Sequence, residues 1–219
     1  MASENSTVEE KQRQPRKPRK YSKPYLTEKM VLKNDTTLQL TYGLIPKVMY
    51  SFFTLDVILF YIREKDFAEQ VNERANALLD KEKGRIEKLL KAAKSNADKY
   101  NITSMPNYTV SQEREFRKYT PLATKFLNIV SNVEEYSILL DALWLNGHIE
   151  SEFRNSKLKK VRYGLLNFSR QMANLGVNAM AVANDKGISA DIESTLNESD
   201  YKKPDETEPE DTLEEVEEV

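Results

Sequence analysis

The stretch Thr36-Thr37-Leu38-Gln39-Leu40-Thr41-Tyr42 alternates strictly, with Leu38, Leu40 and Tyr42 on one face and Thr37, Gln39 and Thr41 on the other. Period-2 alternation predicts a strand over 36–42 with one buried side. Nearly everything downstream reads as helix, so this strand has no evident partner in its own chain. Unpaired backbone N–H and C=O groups are costly, and the economical partner is the same strand of a second copy. A two-stranded antiparallel ribbon built that way reads the major groove of DNA. Leu38, Leu40 and Tyr42 then face a dimer core, and Thr37, Gln39 and Thr41 face the bases. Glutamine suits adenine, and threonine suits a base edge or a thymine methyl.

The flanking charge fits an anionic partner. The 219 residues carry a net charge of only −2, which hides an asymmetry between the ends. Arg13, Arg16, Lys17, Arg19 and Lys20 sit in a stretch without acids. Residues 1–30 lack the apolar content that offsets ordering entropy, and they read as a disordered basic arm kept extended by Pro15, Pro18 and Pro24. Such an arm is expected to bind DNA, lying along the phosphates or entering a minor groove, with a solvated solubility tail as the alternative. Lys33 flanks the strand, and Lys65 stands where a helix N-terminus attracts phosphate. Residues 178–219 read as a disordered acidic tail, which competes for the arm, contacts RNA polymerase or another regulator, or keeps the chain soluble.

Residues 31–177 read as one domain. Pro46 opens a helix over about 44–63 that is apolar on most of its circumference and so is buried from more than one side. Asp66 and Glu69 form a capping pattern for a long helix over about 66–99, with an apolar stripe and a charged face of mixed sign. Residues 101–118 form a linker with weak strand character at Tyr108, Val110 and Gln112. Thr120-Pro121 caps a helix over about 121–146, and Gly147 stops it. A last helix covers about 151–175, with Lys157, Lys159, Lys160, Arg162 and Arg170 on its polar side. The expected fold is mainly α with one short β-strand, completed by an intermolecular two-stranded antiparallel ribbon, plus additional C-terminal helices.

No site chemistry emerges. The chain has no cysteine, which excludes disulfides, cysteine-based zinc sites and thiol catalysis and fits a reducing, cytoplasmic setting. The N-terminus lacks the apolar run of a secretory signal. His148 is the one histidine, and no His/Asp/Glu cluster has metal-ligand spacing. Phosphate-cradling and nucleophile-elbow motifs are missing, and six glycines leave little room for them. The expectation is therefore no catalytic residue, no metal, no cofactor and no enzyme. Pro46, Lys47, Ser51, Thr54 and Asp56 interrupt the apolar run 44–62, which favours a buried core helix over a membrane span.

Leu38-Gln39-Leu40-Thr41, then Tyr119-Thr120-Pro121-Leu122-Ala123, then Leu139-Leu140-Asp141-Ala142-Leu143-Trp144-Leu145-Asn146-Gly147 together resemble the AcaB-like family of regulators of plasmid and integrating-conjugative-element transfer genes. The resemblance covers roughly residues 38–175. It implies a transcriptional activator of transfer genes with a ribbon-helix-helix-like DNA-binding core. The expected partners are double-stranded DNA and a second copy of the chain, with no membrane. The competing expectations are a helical scaffold of a conjugation or replication complex, in which the strand pairs with residues 108–112, and a membrane-associated component using residues 44–62.

Overall fold

The computed structural model describes residues 22–199 and Lys203. Strand β1 (Leu26–Leu32) is followed by helices α1 (Asp35–Tyr42), α2 (Leu44–Ile62) and α3 (Lys65–Lys99). Strand β2 (Gln112–Lys118) and helices α4 (Pro121–Leu145), α5 (Ser151–Asp185) and α6 (Ser189–Glu198) complete the order. The basic residues Arg13, Arg16, Lys17, Arg19 and Lys20 lie outside the described residues.

The expected strand at 36–42 is helix α1. Asn34 is its N-cap, and its side chain accepts from the Thr36 amide at 2.9 Å. Thr37, Leu38, Leu40 and Thr41 are buried, which is the i, i+1, i+3, i+4 pattern of a helix face. The two threonines disguised that period. Thr41 returns its hydroxyl to the Leu38 carbonyl at 2.6 Å, and the Thr37 hydroxyl sits between the Asn34 carbonyl, at 2.9 Å, and the Glu134 carboxylate, sharing its one hydrogen between them. A hydroxyl satisfied in this way can sit inside a core. Leu38 and Leu40 therefore pack in the chain's own interior, whereas Tyr42 is 57% exposed.

The two-stranded ribbon exists, but elsewhere and within one chain. β1 pairs antiparallel with β2 from Leu26↔Lys118 to Leu32↔Gln112. The intermolecular ribbon expected at 36–42 is thus replaced by an intramolecular one, and with it goes the physical reason for a twin strand there. β1 also falls mostly inside the segment expected to be disordered up to residue 30. At the other end, α5 continues ten residues beyond the expected stop at 175, to Asp185, and α6 follows where the acidic tail was expected from 178. Ala179, Ala183 and Ile192 are buried there; the small side chains give too weak a periodic signal to read from sequence.

α2 to α5 form the core bundle, with α3 against α4, and α5 across α2 and α3. Phe52 of α2, Phe126 of α4 and Phe168 of α5 lock it, edge-on at 6.0 Å and stacked at 5.7 Å. α2 is long and apolar enough to cross a membrane, and half of its most apolar window is buried inside the protein. Two glycines mark the interface of α3 and α5. A Cβ on Gly164 would lie 2.2 Å from the Arg85 guanidinium, so α5 is bare where that side chain crosses it. Gly84 has nothing within 4 Å. Gly84→Ala is therefore expected to raise stability by about 0.5–1 kcal/mol through helix propensity, seen as a higher denaturation midpoint.

Candidate nucleic-acid interface

Two carboxylates two turns apart on α4 fix the N-terminal part of the fold. Glu134 Oε1 accepts the backbone amides of Lys33 at 2.7 Å and Asn34 at 3.2 Å, and its other oxygen takes the Thr37 hydroxyl. Asp141 accepts Asn34 Nδ2 at 2.7 Å, the Tyr108 hydroxyl at 2.6 Å and Arg154 Nε at 2.5 Å. Glu134 is 8% exposed and Asp141 5%. Buried acids saturated with donors in this way hold a structure together.

Burial, and then the bond to Asp141, push the Tyr108 phenol above its ordinary value of 10.0. The folded phenol keeps its proton where an unfolded tyrosine loses it. Its contribution is therefore intact below pH 10.0 and declines as pH rises above that. Tyr108→Phe is expected to flatten the alkaline limb of a stability–pH curve and to cost about 1–2 kcal/mol at neutral pH. An unchanged alkaline limb in urea titrations at graded pH would remove Tyr108 from that role.

The clamp turns the expected base-reading residues inward. Thr37 is fully buried and Thr41 is 7% exposed, so neither reaches a partner molecule. Gln39 is exposed, but its amide donates to Asp35 at 2.8 Å and accepts from Arg162 Nη1 at 3.2 Å. Lys33 is exposed at the α1 entrance, and Lys65 opens α3 with its ammonium 3.6 Å from Glu69. With Thr37 and Thr41 buried, the expected base-reading face is not presented as one exposed surface. The outward face of the real ribbon is electrically mixed. Lys29 and Arg117 alternate there with Glu113 and Glu115, and Lys29 pairs with Glu113 at 2.9 Å.

A different set of cations does converge. A cleft of about 700 Å³ between α2, α3 and the start of α4 is mainly apolar and holds the Lys23–Asp56 ion pair at its edge. A second cleft, of about 660 Å³, runs between α3 and α5 and is lined by Lys81, Arg85, Lys88, Lys157 and Lys160, with Leu89 and Tyr136 among its apolar lining. Arg85 is neutralised by Glu82, at 2.9 Å through Nε and 2.5 Å through Nη2, and lies over the bare backbone of Gly164. The single acid of the cleft, Asp80, has Lys125 at 3.9 Å. Lys81, Lys88, Lys157 and Lys160 have no carboxylate partner among the described residues; Lys157 lies over the Phe153 ring at 4.9 Å. Other lysines do pair, as in Lys83–Glu87, Lys94–Glu135 and Lys186–Glu64. Among the described residues the cleft therefore concentrates positive charge that no carboxylate neutralises.

From sequence, Lys81, Arg85 and Lys88 looked like part of a solvated mixed face, and Lys157 and Lys160 like the polar side of the last helix. The spacing i, i+4, i+7 on α3 and i, i+3 on α5 was the available signal. Only the packing of α5 against α3 joins the two rows. His148 stacks on Tyr100 at 4.2 Å. Among the described residues, no group of three or more His, Asp or Glu is placed to hold a metal ion.

No protein-family model and no curated protein sequence matches the chain. Among solved structures, the crystal structure of selenomethionine-containing AcaB from uropathogenic E. coli superimposes with a TM-score of 0.77 at 21% identity. The match covers 83% of this chain and 94% of that one. At such low identity the likeness speaks to architecture alone, and in architecture the chain is AcaB-like.

Proposed function

We propose that this chain is a DNA-binding transcriptional regulator of conjugative-transfer genes that seats a DNA backbone in the lysine cleft between α3 and α5. The cleft carries the reading: four ammonium groups with no carboxylate partner among the described residues line one surface, in a chain that pairs many of its other cations with acids. Neutralising phosphates there releases counterions, which drives association. The fold shared with AcaB, and the resemblance of Thr120–Ala123 and Leu139–Gly147 to transfer-gene regulators, support the biological class. In this reading the protein is no enzyme and needs no cofactor. It works as a cytoplasmic homodimer and activates its target genes.

Fluorescence anisotropy with the region upstream of its own operon, beside a scrambled duplex of equal length, tests the reading. Binding is expected with a log–log salt slope of about −3 to −4, and with the upstream region preferred by at least about tenfold. Light scattering on the same sample is expected to count two copies. A protein that binds neither duplex at low salt overturns the proposal and leaves a helical scaffold in a conjugation or replication complex.

A further inference from the structure

The sequence contains an intramolecular counter-charge for the cleft. Beyond Lys203 it carries Asp205, Glu206, Glu208, Glu210, Asp211, Glu214, Glu215, Glu217 and Glu218, and no lysine or arginine. Residues 204–219 lie outside the described residues, but their point of attachment does not. Lys203 lines a cleft with Ala173, Gly176, Val177 and Met180 of α5 and with Lys47 and Tyr50 of α2. That cleft is on the α2 flank of α5, and the lysine cleft is on the α3 flank, nearer the N-terminus of α5.

The span between the two is short. From Ala173 back to Lys160, α5 rises by about 20 Å, and a helix with side chains is about 10–12 Å across. Residues 204–219 reach at most about 53–58 Å when extended. A coil of sixteen residues averages about 20–24 Å end to end. A tether whose average length matches the span gives its ligand the highest effective concentration. The route crosses the outward ridge of α5, where Lys159 and Arg170 are exposed.

We infer that residues 204–219 dock in the α3–α5 cleft as an internal polyanion, held by Lys81, Lys88, Lys157 and Lys160. The docking stands on charge and reach. Its regulatory consequence rests on the DNA-binding reading above: the tail displaces weakly held, non-specific DNA and yields to a site that offers further contacts.

Carbodiimide couples a carboxylate directly to an amine, so it reports the docking without any DNA. The full chain is treated at low ionic strength and the new amide bonds are located by peptide mass spectrometry. The tail carboxylates are expected to couple mainly to Lys81, Lys88, Lys157 and Lys160. Coupling is expected to fall away above about 0.5 M salt, where the screening length drops to roughly 4 Å. Bonds spread evenly over exposed lysines such as Lys65 and Lys91, or no bonds at all, overturn the proposal. In the second arm, a full-length chain with the nine tail acids replaced by their amides is expected to bind random-sequence duplex roughly 5–10-fold more tightly at low salt. Equal affinity overturns the competition. Cleft-specific coupling in a chain that binds no DNA would leave the docking standing and remove the DNA-binding reading. Scattered coupling in a chain that does bind DNA would do the reverse.

Discussion

Asp141→Ala is expected to lower the free energy of unfolding by about 3–5 kcal/mol, the range for breaking a buried charged pair by removing one partner. The carboxylate takes three donors from three separate segments: Asn34 before α1, Tyr108 in the 101–111 connection, and Arg154 in the first turn of α5. Removing it leaves an amide, a phenol and a guanidinium facing one another in a site with little access to water. Each unsatisfied group costs about 1–3 kcal/mol, and the guanidinium stands at the upper end. Among the described residues, Arg154 keeps its contact with Asn155 at 2.9 Å and its place over the Trp144 ring at 5.2 Å. A whole domain is stable by about 5–15 kcal/mol, so the variant falls near the limit of folding. Urea unfolding is the measurement: the midpoint should drop with little change in slope. Lys83→Ala, which opens the exposed pair with Glu87, serves as control and should change stability by less than about 0.5 kcal/mol. A loss below about 1 kcal/mol for Asp141→Ala would show that the three segments hold together without it.

The second large effect is on binding. Replacing Lys81, Lys88, Lys157 and Lys160 together by glutamine is expected to flatten the log–log salt slope by about 3.6, at 0.9 per phosphate contact on B-DNA. Affinity for duplex DNA near 0.1 M salt should fall on the order of 10²-fold. Folding should be untouched. All four side chains reach solvent and none holds a carboxylate among the described residues, so the stability change should stay within about 0.5 kcal/mol. The matching control is Lys65→Gln with Lys83→Gln. Both of those lysines already pair with glutamates at 3.6 Å, so they have little free charge to offer. If the control and the quartet weaken binding equally, net charge rather than the cleft governs the interaction.

The long helices were legible because their signals are redundant. Thr120 caps α4, its side chain 3.4 Å from the Ala123 amide, with Pro121 in the first turn, and the apolar spacing of α2, α3 and α4 runs for many turns. α1 was misread for a local reason. Over seven residues, a helix that buries two threonines and a strand that exposes them give the same string of letters. The difference lies in Glu134, 97 residues away from Thr37, whose carboxylate makes the buried hydroxyl acceptable. β1 was invisible because its partner is also far along the chain: the pairing of Leu26 with Lys118 joins two segments that each look like linker. The cleft failed to show for the same reason. Its lysines form two ordinary polar helix faces until α5 lies against α3.

The ribbon also sets an order of events. β1 is made early, but the strand it pairs with follows α1, α2 and the whole of α3. During synthesis the first strand must therefore wait, with its hydrogen-bonding groups in water, until residue 118 has left the ribosome. The Glu134 carboxylate that anchors α1 comes later still. The ribbon and the α1 anchor therefore close only after β2 and then Glu134 of α4 have been made.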